Sequence, residues 1–381
     1  MSTANSPALS GPTSGGEIAG KAPPPWLALG STVASESIQA LGRRLVPPPA
    51  ALMTMTVGYQ LTSRAISAAA ELGLADHLAT APGTVEALAE AVGADAGALA
   101  RLLRLLELAG IVRHRRDGRI ELTRLGAPLR GDHPQSVRDW CRYLGADWHW
   151  ELWADLDASV RDGRTAYERR FGTDFFSWFG VHPDEAQVFD AAMRSFSSLV
   201  DGPVVKACNL RGSRTAVDIA GGSGALLAAL LRAHPGLHGT LFDQPAVVER
   251  AQADGPLLAD DVRSRVAFES GDMFSAVPEG RDAYLMKWIL HDWDDERAAA
   301  ILAGIAAAAP RGSRLLLIEM LIGPGRATGP ARQLDMAMLV LTGGHERTGK
   351  DFHALLNAAG FEMRAIRRTA SPMHVIEGVR R

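Results

Sequence analysis

The chain has 381 residues, 47% hydrophobic and 22% charged, with a formal net charge of −3, which suits more than one cored domain and gives no reason to expect a polyanion or an acidic membrane as main partner. Cys141 and Cys208, without a CxxC pair or a Cys/His cluster, argue against a disulfide framework and a structural zinc site and read as buried thiols in a reducing cytoplasm. No apolar run approaches the ~18 residues of a membrane span and no basic-then-apolar leader opens the chain, so a cytoplasmic protein is expected.

Residues 1–45 are rich in Ser, Gly, Pro and Ala and are expected to be disordered. Over 50–78 the apolar positions Met53, Val57, Leu61, Ile66 and Leu72 recur at helical spacing and need a packing partner; a further helix over 84–92 follows the Pro82-Gly83 break. Asp95 predicts the N-cap of a helix over 96–109 that Gly110 ends, and 111–123 reads as two strands joined at Asp117-Gly118. Helix, helix and hairpin in that order is winged-helix grammar, and the domain is placed at 46–135. Residues 136–210 read as a largely helical linker and lid whose many Trp and Phe side chains serve as core or as walls for a flat ligand.

After Leu210 the pattern alternates, with strands over 216–220, 238–242, 266–270, 283–288 and 314–319 and helices over 225–233, 246–253 and 296–309. Such alternation predicts an α/β fold, a Rossmann-like doubly wound parallel sheet, over 211–381. Ligands of open α/β sheets sit outside the carboxyl ends of the strands, where Asp218, Asp243, Asp272, Lys287, His291 and Glu319 fall. The turn Ala220-Gly221-Gly222-Ser223-Gly224 would bring backbone close to a ligand, and Asp243 can accept ribose hydroxyls. By residues alone, dinucleotide and S-adenosylmethionine binding share this architecture; Asp272, Met273 and Phe274 add a carboxylate and apolar cover suited to an adenine. Glu346 by itself, beside Arg347, reads as a surface salt bridge.

Taken together, VDIAGGSG, LFDQP from Leu241, GDMF from Gly271, KWILHDWDDE from Lys287, LLIEM from Leu316 and GGHERTGKDFHALLNAAGF from Gly343 resemble the small-molecule O-methyltransferases of the caffeate, flavonoid and hydroxyindole type and their bacterial natural-product relatives, over roughly residues 50–381. The resemblance implies S-adenosylmethionine as methyl donor, no metal, and a homodimer through the N-terminal domain. It makes His291 the general base, oriented by Glu319 and Glu346. It gives the cofactor Asp218, Gly222, Gly224, Asp243 for the ribose, Asp272, Met273 and Phe274 around the adenine, Lys287 along it, and Ser197 from the lid. Ala220 departs from the glycine most common at that turn position in the family. Phe189, Met193, Trp288 and Met336, with Trp148 nearby, are the expected substrate wall.

A histidine near pKa ~6.5 taking a proton from a phenol near ~10 faces about 5 kcal/mol for complete transfer, which suits a phenol or acidic enol better than an aliphatic alcohol. The expected function is therefore methyl transfer to a hydroxyl of an aromatic or polyketide-like small molecule in secondary metabolism. Two rivals remain at this stage: a relative's polyketide hydroxylase or decarboxylase chemistry, and a winged-helix DNA-binding regulator suggested by Arg101, Arg104, Arg113, Arg115, Arg116 and Arg119. The two glutamates with His291 favour methyl transfer, and nucleic acid is not expected as a partner.

Overall fold

The computed structural model describes residue 42, residues 45–324 and residues 329–381, so the expectation for residues 1–45 lies almost wholly outside it. Near the start, Pro48–Met53 and the π turn Thr54–Gly58 lead into helix α1 (Tyr59–Glu71). The continuous helix expected to residue 78 breaks at Gly73, whose φ of 63° starts α2 (Leu74–Thr80). α3 (Val85–Val92) and α4 (Ala96–Leu108) follow, with Asp95 capping Ala98 N at 2.7 Å. The hairpin β1 (Val112–His114) and β2 (Ile120–Leu122) then turns at Gly118, φ 80°. Leu99, Leu103, Leu106 and Ile120 close this cluster, whereas Met53, Val57 and Leu61 stay 68, 53 and 51% exposed within the single chain. The predicted helical face exists, but among the described residues nothing covers its first turns.

Helix α5 (Arg138–Gly145) packs against the long α6 (Pro183–Ala207). Between them Tyr167, Phe175 and Leu152 form an aromatic core with Trp148 and Phe179 against it. The rest is a seven-stranded sheet of order β5-β4-β3-β6-β7-β9-β8: β3 (Thr215–Ile219), β4 (His238–Asp243), β5 (Val266–Ser270), β6 (Ala283–Lys287), β7 (Arg314–Met320), β8 (Phe361–Arg368) and β9 (Met373–Arg380). The first five are parallel; β9 lies antiparallel between β7 and β8. The doubly wound parallel sheet is as expected, and at this edge the final strands add an antiparallel return instead of crossing over.

The parallel strands read as near-continuous apolar runs because both faces are covered. In β7, Leu316 and Ile318 face one core with α7 (Ala225–Ala233), while Leu315 and Leu317 face the other with α9 (Asp295–Ala308) and α11 (Gly349–Ala358). The remaining helices are α8 (Pro245–Asp254) and α10 (Gly329–Leu341). β3 stands between β4 and β6, so the connections leave in opposite directions there and open a crevice at its carboxyl end. No described helix is long and apolar enough to cross a membrane. Leu227 is fully buried beneath Gly239, so Leu227→Ala is expected to cost about 2–5 kcal/mol in chemical denaturation; a loss below about 1 kcal/mol would contradict that packing.

Candidate active site

At the carboxyl ends of β3 to β6 lies a cleft of about 910 Å³, large for a single drug-sized ligand. Gly222, Asp243, Asp272, Met273 and Phe274 line one side, with Lys287 and Trp288 beside them, and Phe189, Met193 and Ser197 come from α6. The turn after β3 owes its shape to two left-handed glycines, Gly222 (φ 58°) and Gly224 (φ 78°), and to Ala220, which holds φ 52° despite its methyl group. A Cβ on Gly222 would meet open space, leaving backbone bare for a ligand; one on Gly224 would strike Leu257 at 2.3 Å, so Gly224 serves packing and does not line the cleft.

Asp243 accepts from Gly222 N at 2.8 Å and Gln244 N at 2.7 Å, so it ties the turn to β4 and is not the cap of α8, whose N-cap is Gln244. Each carboxylate oxygen retains a free lone pair. Asp272 accepts from Phe274 N at 2.9 Å and Ser275 Oγ at 2.9 Å, folding the turn that presents Met273 and Phe274. Lys287 Nζ donates to Ser197 Oγ at 2.6 Å and Asp201 Oδ1 at 2.7 Å, a bridge from sheet to α6 in which Asp201 had no sequence signal beyond its place one turn past Ser197. Asp218 lies beneath the turn; burial pushes its carboxyl up to about 7 against the pull of Lys287, and its Oδ2 has no partner among the described residues.

His291 sits in a short 3₁₀ turn, Leu290–Asp292, and is buried. Its Nδ1 lies 2.7 Å from Glu346 Oε1, which corrects the reading of Glu346 as a surface salt bridge with Arg347. Arg347 is itself 1% exposed and donates to Leu290 O at 2.5 Å, Trp293 O at 2.8 Å and Asp295 Oδ1 at 2.9 Å. Glu319 does not hydrogen-bond the imidazole; its Oε1 accepts from Ile289 N at 3.2 Å and Leu290 N at 3.0 Å and so fixes the backbone leading into His291. The close packing continues at Gly344, where a Cβ would fall 2.0 Å from His291 O. Arg347 and Gly344 were visible in the sequence only as neighbours of Glu346.

His291 does not itself line the cleft. Trp288, at φ 57°, does, and its indole stacks between Phe196 (centroids 3.8 Å) and the imidazole (5.5 Å). Asp292, absent from the expected site, does line the cleft, with Oδ1 3.6 Å from His291 Nε2. Of the expected substrate wall, Phe189, Met193 and Trp288 are on it. Trp148 and Met336 are not: Trp148 is packed on Tyr143 and Phe179 at 5.7 Å each, and Met336 is 37% exposed on α10.

Buried carboxyls crowd this turn. Burial pushes Glu346 up to about 8, with Asp335 adding and Arg347 opposing; it raises Glu319 and Asp292 to about 7 each, with His291 opposing. A carboxyl whose folded pKa exceeds its unfolded value contributes stability that is complete below the unfolded pKa and lost as pH rises through the folded one. Wild-type stability should therefore fall between about 3.8 and about 7 through Asp292, and Asp292→Asn should flatten that fall; an unchanged slope of melting temperature against pH would refute it.

A doubly wound sheet with an acid-lined cleft at its switch point, a glycine turn and a buried His–Glu pair beside it defines a nucleotide-type group-transfer enzyme. The chain matches the O-methyltransferase domain model over residues 153–362 and the O-methyltransferase dimerisation domain model over 56–129, and it belongs to the S-adenosylmethionine-dependent small-molecule O-methyltransferases. It is 38% identical over 333 residues to phenazine O-methyltransferase PhzM of Lysobacter antibioticus, covering 87% of this chain and 96% of the relative. To the mitomycin biosynthesis 6-O-methyltransferase of Streptomyces lavendulae it is 40% identical, over 83% of this chain and 90% of the relative. Human N-acetylserotonin methyltransferase, solved in complex with S-adenosylmethionine, superposes with a TM-score of 0.80 at 28% identity, over 88% of this chain and 98% of that one.

Proposed function

We propose that this O-methyltransferase methylates a phenolic or enolic hydroxyl of a flat aromatic or polyketide-like molecule in secondary metabolism, with His291 as general base. The carrying observation is the buried 2.7 Å Nδ1–Glu346 contact, which occupies that ring nitrogen and leaves Nε2 as the proton acceptor. Glu319 and Arg347 act one step back, fixing the backbone on either side of the imidazole. Access from the cleft to Nε2 runs past Trp288, so the indole sets how the acceptor ring lies, while Phe189 and Met193 supply apolar wall.

The cleft fits S-adenosylmethionine by this structure's own features: open space over Gly222, a strand-end carboxylate at Asp243, and apolar cover from Met273 and Phe274. Ser197 and Lys287 would close over it from the lid side, and Asp218 would support the turn from below. When bound, the cofactor supplies an electrophilic methyl on a sulfonium. The protein's share is positioning, proton acceptance and exclusion of water.

His291→Ala is expected to lower kcat by about 10²–10⁴-fold with unchanged affinity for S-adenosylhomocysteine, whereas Gly222→Ala, strained at φ 58°, should cost about 1–2 kcal/mol of stability and weaken that affinity about tenfold or more. Near-wild-type turnover of a phenolic acceptor by His291→Ala would end the general-base reading.

The same reading makes 46–135 a dimerisation module in a cytoplasmic homodimer, with the exposed Met53, Val57 and Leu61 facing the partner. Sedimentation should show a dimer at micromolar concentration and a shift to monomer for Leu61→Asp; a wild-type monomer would overturn it.

A further inference from the structure

Five cations line the cleft, and four are already committed. Arg138 holds Asp76 at 3.1 Å, Arg142 holds Glu71 at 2.8 Å, Arg250 holds Asp190 at 2.7 Å and Lys287 holds Asp201 at 2.7 Å. Arg194 makes no ion pair or hydrogen bond among the described residues, although it stands on the cleft face of α6 between Asp190 and Ser197. Its natural helical partner is Asp190, one turn back at the i−4 position, and Arg250 has taken that carboxylate. Asp184 and Asp254 line the same cleft without an ion pair among the described residues, so the wall offers one free guanidinium among spare carboxylates.

We propose that Arg194 is the carboxylate receptor of this cleft: its planar fork takes a carboxylate borne by a bound small molecule whose cationic or neutral portion lies toward the acidic wall. A guanidinium pairs with carboxylate through two parallel hydrogen bonds, which gives direction as well as strength. A dianionic phosphate would suffer most from the surrounding acids, a singly charged carboxylate less, and the carboxylate of a zwitterion least. Two molecules can bring that group, the methionine portion of the cofactor or an acidic substituent on the acceptor. The assignment rests on the S-adenosylmethionine reading given above.

The test uses the full chain as wild type, Arg194→Ala and Arg194→Lys, titrated calorimetrically with S-adenosylhomocysteine and with 5′-methylthioadenosine, which lacks the amino acid portion. With S-adenosylhomocysteine present, 2-hydroxynaphthoic acid and 2-naphthol are then compared. Arg194→Ala should weaken the carboxylate-bearing ligand about tenfold or more, leave its carboxylate-free counterpart unchanged, and be partly rescued in Arg194→Lys. A loss on S-adenosylhomocysteine makes the cofactor the source; a loss confined to the naphthoic acid makes it the acceptor. Arg194→Ala matching wild type for both acids overturns the assignment alone. Failure of the wild type to bind S-adenosylhomocysteine overturns the cofactor reading and this assignment with it.

Discussion

Three buried ionisable side chains from other parts of the chain hold the irregular backbone between Lys287 and Trp293 and the imidazole it carries, and the arrangement of the site depends on them. That stretch lies outside sheet and regular helix, so its N–H and C=O groups need partners from elsewhere. Glu319, at the end of β7, takes two of its amides; Arg347 takes two of its carbonyls; Glu346 takes the imidazole. Each of these groups would be costly to bury without partners, and each is tolerable because the 289–295 stretch supplies its hydrogen bonds. Trp288 holds its left-handed backbone in this setting, a conformation that persists only where its surroundings over-determine it.

The electrostatics of the cleft follow from the same burial. Asp218, Asp292, Glu319 and Glu346 are all pushed upward by desolvation, so the region stores carboxyls that ionise more readily once a cation stands near. Such a lining favours a positively charged ligand over an anion. Lys287 is satisfied internally by Asp201 and adds little free positive charge, which leaves Arg194 as the cation on the wall without an ion pair among the described residues.

The comparison between sequence and structure separates by range of interaction. The N-cap at Asp95, the hairpin at Gly118 and the two-faced apolar strands were legible because each depends on neighbours in sequence. β8 and β9 escaped because an antiparallel return at a sheet edge carries no strand–helix alternation to mark it. The exposed faces of Met53, Val57 and Leu61 show the opposite case, a clear helical period that no packing partner covers among the described residues.

For the site, the sequence by itself determined the residue types and the strand ends at which Asp218, Asp243, Asp272, Lys287 and Glu319 stand, since a strand followed by a turn exposes its carboxyl end whatever the rest of the chain does. Only the tertiary structure decided that Glu346 meets His291 while Arg347 turns inward, that Glu319 grips backbone and not the imidazole, that Trp288 stacks on His291, and that Trp148 and Met336 stand off the cleft. The physical reason is that hydrogen bonds between segments far apart in sequence depend on distances set by the packing of whole elements, and no local pattern records those distances.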